Sequence, residues 1–391
     1  MHRTRYLLAG VVIILGGATV SGQTAPTPDQ TSERQQFERI ISTVEPGLKG
    51  SAERLPAYLA VFRREMINDR RLFPFAVAGR AEEGGRIALD GAVGFRENRE
   101  ALVKFFSHLG FEDLIDRVEV LPSSSLGAEQ FALVTVTGAF LFDRPGEPRE
   151  VLNNYVLGAP VYLLKPAGDE AWLCLGADGY VGYIEAASIR RMGGDLFDRY
   201  QSGPQVVMLR DYLADGLLIP LGARLKWMAD DAGGALLELP AGDRKAIPKD
   251  YCVMYEGKPS QRIERVLAAA RRLLGTRYVW GGNTSAGIDC SGLVQMSFAA
   301  EGINLPRDAS QQVHMGRLVA TRWHRTSLRR GDTLYFLGAR GTVTHTGIYL
   351  GDDRYIEAVR PAVRVTSFDP ADREYDAARA AAFAFGKRLL E

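Results

Sequence analysis

Between residues 263 and 358 the apolar residues change period once, and that change limits the possible folds more than any other feature of the chain. Ile263, Val266, Leu267, Ala270, Leu273 and Leu274 share one face at helical spacing, with Ser260 as a cap before them and Gly275 as a stop after them. A second helix is expected to open at Asp289-Cys290-Ser291-Gly292 and to run to about residue 300, ahead of Gly302. The apolar runs then shorten. Residues 333–336, 344–350 and 354–358 read as strands separated by turns. Helices followed by a run of short strands place this segment in the α+β class, with helix faces packed on one sheet.

That order of elements brings chemistry with it. A cysteine in the first turn of a helix sits beside about half a positive charge and beside unbonded backbone N–H groups. Both suit a thiolate and a developing oxyanion. A hairpin over 344–358 brings His345 and Glu357 together across paired strands. A cysteine on a helix facing a histidine on a sheet, with a polar residue orienting the ring, is the papain-type arrangement. In this reading Cys290 is the nucleophile, His345 is the general base, and Glu357 accepts the proton of His345 Nδ1. The alternative for Glu357 is a solvated strand position.

Four stretches stand in order: Tyr278-Val279-Trp280-Gly281-Gly282-Asn283, Asp289-Cys290-Ser291-Gly292-Leu293-Val294-Gln295, Gly331-Asp332, and His345-Thr346-Gly347-Ile348-Tyr349-Leu350-Gly351. In them the chain closely resembles the NlpC-type family of cell-wall cysteine peptidases, over residues 260–388. The resemblance implies a nucleophile at Cys290 and a base at His345. Where such proteins commonly carry a histidine as the third residue of the set, twelve positions after the base, this chain has Glu357. Members with SH3-like domains ahead of the catalytic domain imply more. In them, residues matching Tyr278 and Asp289 hold the free amino group of an N-terminal L-alanine, with Ser291 in the same pocket. A carboxylate and a phenolic oxygen meeting at one point would suit an ammonium group. The implied substrate is a peptidoglycan peptide, L-Ala-γ-D-Glu-diamino acid, cut after the γ-D-Glu. The residues alone leave Asp289 open as a helix N-cap and Tyr278 as a packing residue of the cleft wall.

Upstream, the chain reads as a series of shorter units. Residues 1–22 read as a signal peptide, with a basic start at His2-Arg3-Thr4-Arg5, an apolar run over 7–20 and small residues at Val20-Ser21-Gly22. The run is shorter than the roughly 20 residues of a spanning helix, although a retained anchor is the alternative. Export to the periplasm or the exterior follows. Residues 23–35 are polar and read as a linker. Residues 36–150 read as an N-terminal α+β region: helical over 37–69, a strand at 86–93, a helix over 97–109, and strands at 118–121 and 131–142. Residues 151–198 read as an SH3-like barrel, with strands at 160–164, 171–175 and 180–184 and a turn at Asp178-Gly179. Residues 199–256 give a weaker second copy, and 257–391 are the peptidase domain.

Composition narrows the partners. The formal net charge is +1, so neither nucleic acid nor an anionic membrane is indicated. Three cysteines allow at most one disulfide and leave one thiol over in an exported chain. Cys174, beside Trp172 in an alternating strand, and Cys252 read as core residues. No Cys or His cluster has metal-ligand spacing, and Trp280-Gly281-Gly282 lacks the ending of a phosphate loop, so no metal or other cofactor is expected. His314 and His324 read as surface residues. Two competing readings remain. One is a wall-binding protein with an inactive catalytic domain, which the intact Cys290 and His345 oppose. The other is an amidase or acyltransferase on the same scaffold, because hydrolysis and transfer share an acyl-cysteine.

Overall fold

The computed structural model describes residues 28–67, 69, 71–231, 233–255 and 263–390. The expected signal peptide and the Ser260 cap lie outside them. The chain is α+β, with separate sheets succeeding one another along the sequence.

The N-terminal unit lays three helices on a small sheet. Helix Pro28–Ser42 begins inside the stretch expected as a linker. Proline suits a first helical position, and Phe37, Ile40 and Ile41 give the helix an apolar face to bury. The single helical run expected over 37–69 is broken near Pro46 and Gly47, and resumes as Leu55–Met66. Phe37, Tyr58, Phe62, Phe105 and Phe106 meet edge to face between these helices and Arg96–His108. Strand Ile87–Val93 pairs antiparallel with Phe75–Ala81 and parallel with Leu114–Val120. Helix Arg96–His108 makes the crossover that the parallel pair requires.

A seven-stranded antiparallel sheet follows, from Phe131–Val134 to Ile189–Met192. The boundary read at residue 151 falls inside it. Gly138–Phe142 pairs with Val151–Val156 and with Val181–Glu185, while Phe131–Val134 pairs with Pro160–Ala167. The strand expected over 131–142 is therefore two strands with different neighbours. Gly179 takes φ 83° in the expected turn, and Cys174 is wholly buried in the sheet's core. A five-stranded sheet then spans Gln205–Met208 to Cys252–Tyr255.

The C-terminal unit positions the site. Helix Cys290–Ala299 has eight of its ten residues buried, so it lies at the centre of the unit, between helix Ile263–Arg272 and the sheet. The sheet runs in the order Arg317–Thr321, Phe383–Arg388, Thr333–Leu337, Val343–Gly351, Arg354–Ala358, Val363–Ser367. Val266, Leu267, Leu293, Val294 and Phe298 pack with Ile348 and Ile356 from the adjacent strands Val343–Gly351 and Arg354–Ala358. Among the described residues, no helix is long and apolar enough to cross a membrane.

Candidate active site

The helix that carries Cys290 starts where Asp289 caps it. The Asp289 backbone is extended, and its Oδ1 accepts the Gly292 N–H at 2.8 Å. Gly292 is required there, because a Cβ would come within 2.4 Å of Gly282 O and of Asn283 Oδ1. Cys290 is the first helical residue and is 7% exposed. Burial, and after it the Asp289 carboxylate, push the thiol up to about 12. The N–H groups of Thr346 and Ser291 and the Arg307 charge pull the other way without prevailing. A helix start alone does not leave a resting thiolate here.

His345 and Glu357 meet as the hairpin requires, with His345 Nε2 at 2.6 Å from Glu357 Oε2. The nitrogen differs from the expected one: Nε2 faces the carboxylate, and Nδ1 is left for proton exchange. The register explains this. Gly347, not His345, lies opposite Glu357, so the ring reaches diagonally and its far nitrogen arrives first. Glu357 is wholly buried, which alone would raise its pKa. Hydrogen bonds from His345 and from the Thr366 hydroxyl at 2.7 Å, with the Arg379 charge, bring it down to about 2. Glu357 is therefore a charged and fully bonded carboxylate, not a solvated strand residue. Burial lowers the pKa of His345 against the opposing pull of Glu357. Imidazole facing thiol is the resting state that these two directions favour.

Cys290 stands between two compartments of one cleft. Tyr278, His345, Arg360, Arg364 and Arg379 line the first, and Glu150, Tyr180, Asp289, Ser291, Arg307 and Asp308 line the second. Tyr278 lines the first compartment and Asp289 the second, on either side of Cys290. Asp289 is also fully engaged. Its two oxygens take the Arg307 guanidinium at 2.9 and 2.6 Å, and Oδ2 takes the Gly281 N–H at 2.9 Å. Ser291 Oγ accepts from Arg307 at 2.7 Å and donates to Asp289. The N-cap role is present, and an ion pair is added to it.

Arg307 was not legible as a site residue. It is 1% exposed and ties the catalytic unit to the seven-stranded sheet. Its Nε donates to Asn153 Oδ1 at 2.6 Å, and Asn153 Nδ2 donates to Asp178 Oδ2 at 2.7 Å. Burial opposes its charge, but Asp289 outweighs burial and the guanidinium pKa is raised. A lone arginine after Leu305-Pro306 reads as a loop residue, and only the remote Asn153 gives it away. His314 and His324 are exposed and line neither compartment. Cys174, Cys252 and Cys290 are all free thiols.

Residues 275–378 match the NlpC/P60 family. The Bacillus cereus gamma-D-glutamyl-L-lysine dipeptidyl-peptidase is 27% identical over 149 residues, which is 37% of this chain and 44% of that one. The Escherichia coli K12 murein DD-endopeptidase MepS/murein LD-carboxypeptidase is 44% identical over 85 residues, 22% of this chain and 43% of that one. The chain spans under half the length of these curated relatives. The crystal structure of an NlpC/P60 family protein from Bacillus cereus has a TM-score of 0.57 at 20% identity, covering 67% of this chain and 100% of that one. At that identity the likeness is one of fold, and its extent reaches well upstream of residue 275.

Proposed function

We propose that this chain, which carries an NlpC/P60 family domain over residues 275–378, is an exported cysteine peptidase that hydrolyses short peptidoglycan peptides between γ-D-Glu and the diamino acid. The observation that carries the reading is Cys290 and His345 lining one cleft, with charged Glu357 buried behind the ring. His345 Nδ1 takes the thiol proton as sulfur attacks the γ-glutamyl carbonyl. Backbone N–H groups at the start of the nucleophile helix receive the oxyanion. Glu357 stabilises the imidazolium through Nε2, Nδ1 protonates the leaving amine, and water then releases the acyl group.

The compartment with Asp289 and Ser291 takes the amino-terminal part of the peptide. Arg307 already neutralises Asp289, and Arg71 pairs with Asp308. Glu150 is the lining carboxylate that enters no ion pair among the described residues, so it is the group left to receive the free ammonium. Tyr278 walls the opposite compartment. The seven-stranded sheet supplies Glu150 and Tyr180, and Arg71 reaches Asp308 and Ser310 from the N-terminal unit. Those additions close the far end, which favours short, freed peptides over intact polymer.

The test is incubation of the mature protein and of Cys290→Ala with L-Ala-γ-D-Glu-diaminopimelate, free and N-acetylated, followed by mass spectrometry. Cleavage of the free peptide alone, lost in the variant, is the expected result. Equal cleavage of both peptides would remove the ammonium site. Cleavage of neither would remove the peptidase reading.

A further inference from the structure

We infer that the compartment on the His345 side is a carboxylate-binding subsite for the leaving residue of the substrate, and that Arg360 is the group that recognises it. The inference deepens the proposed peptidase reading and takes its orientation from it. Proton transfer fixes that orientation. The leaving nitrogen collects its proton from His345, and His345 lines this compartment and not the other. The residue that carries the leaving amine therefore sits here, beside the arginines.

Three arginines face the compartment, and their charges are not equivalent. Arg364 is held by Glu357 Oε1 at 3.0 Å and by Asp376 Oδ2 at 2.8 Å. Arg379 lies 3.4 Å from Glu357 Oε2. These two arginines are thus offset by carboxylates of the protein itself. Arg360 is exposed and enters no ion pair among the described residues. Its guanidinium lies 5.5 Å from the centroid of the Tyr278 ring, within cation–π range, which holds it over the cleft. The Tyr278 N–H bonds to Pro361 O at 2.8 Å, so the two side chains are also anchored through adjoining backbone. One cation is left unbalanced beside the place where the leaving residue must lie.

A planar guanidinium suits a carboxylate through two parallel hydrogen bonds. Two substrate carboxylates qualify: the terminal α-carboxylate of the leaving residue, and the second carboxylate of a diaminopimelate side chain. A lysine side chain lacks the second and would bring an ammonium group towards Arg360.

The experiment uses L-Ala-γ-D-Glu with three leaving residues: meso-diaminopimelate, L-lysine and L-lysine amide. In the full-length mature enzyme, kcat/KM falls about tenfold at the step where the recognised carboxylate disappears. A fall from diaminopimelate to lysine assigns the side-chain carboxylate, and a fall from lysine to its amide assigns the terminal one. Arg360→Gln flattens that step, Arg360→Lys restores part of it, and Arg360→Glu reverses it. The same ranking is read by calorimetry as equilibrium binding to Cys290→Ala, where no turnover is needed. Equal rates and equal binding for all three peptides, or a step retained in Arg360→Gln, overturn the subsite and leave the peptidase standing. Arg360-dependent binding without cleavage by the wild type overturns the peptidase, and the leaving-residue assignment with it, and leaves Arg360 as a carboxylate-binding group. No binding by any of the three overturns both.

Discussion

Each side of Cys290 is built around a carboxylate held by arginine, and the two pairs are placed very differently. Asp289 and Arg307 are both buried, with side chains 6% and 2% exposed, and the arginine is anchored to Asn153 in another sheet. Glu357 is just as buried, but its partner Arg364 is 46% exposed and comes from the neighbouring strand of the same sheet. The first pair lies within the C-terminal unit, is tied through Arg307 to a second sheet, and is almost closed to solvent. The second has one wet end and one end against the His345 ring. The first is therefore a clamp whose loss is felt in stability, and the second adjusts His345 so that its loss is felt in rate.

The sharpest way to break that contrast is Arg307→Met. It leaves Asp289 buried without its counter-ion and should destabilise the fold by about 3–5 kcal/mol, read by urea unfolding. Adding Asp289→Asn to the same protein should recover a large part of the loss, because the uncompensated charge is then gone. A single-variant loss no greater than that of an exposed arginine, about 1 kcal/mol or less, would mean that the clamp is not one.

Glu357→Gln tests the other side. The amide keeps the shape and removes the charge that stabilises the imidazolium, so kcat should fall roughly a hundredfold. The pH dependence carries a sign as well. His345 must be neutral to accept the thiol proton, and burial sets its pKa below 6.5. The ascending limb of kcat/KM should therefore have its midpoint below 6.5 in the wild type. Glu357 pulls His345 upward, so in Glu357→Gln the midpoint should move lower still while the plateau drops. A wild-type midpoint above 6.5 would show that burial does not dominate at the ring.

The same contrast explains what could be read from the sequence. Cys290, His345 and Glu357 were legible because each sits at a local signal: a capped helix start, and two strands joined by the turn at Gly351-Asp352. Arg307 was not, because the contact that defines its role lies 154 residues away. The nitrogen that meets Glu357 was not legible for a related reason, since strand pattern reveals a hairpin but not its register. Upstream, the strands at 160–185 followed from alternation and turn residues. The membership of Phe131–Val134 in their sheet depends on pairing with Pro160–Ala167, which no local pattern encodes.

The smallest expected effect belongs to the outermost contact of the compartment lined by Asp289 and Asp308. Arg71 comes from the N-terminal unit, pairs with Asp69 at 2.6 Å and with Asp308, and accepts the Val181 N–H on its backbone oxygen. Its side chain is 35% exposed, so the Asp308 pair is open to screening and should be worth under about 1 kcal/mol. Tyr180 still donates to Asp308 at 3.0 Å when Arg71 is removed, so that wall of the compartment survives. Arg71→Ala should consequently leave the unfolding midpoint nearly in place. It should open the far end enough to raise the rate on N-acetylated relative to free peptide by roughly threefold, and high salt should reproduce part of that change in the wild type. If the ratio stays fixed, the seven-stranded sheet alone sets the end of the compartment, and the N-terminal unit contributes nothing to the choice of short peptides.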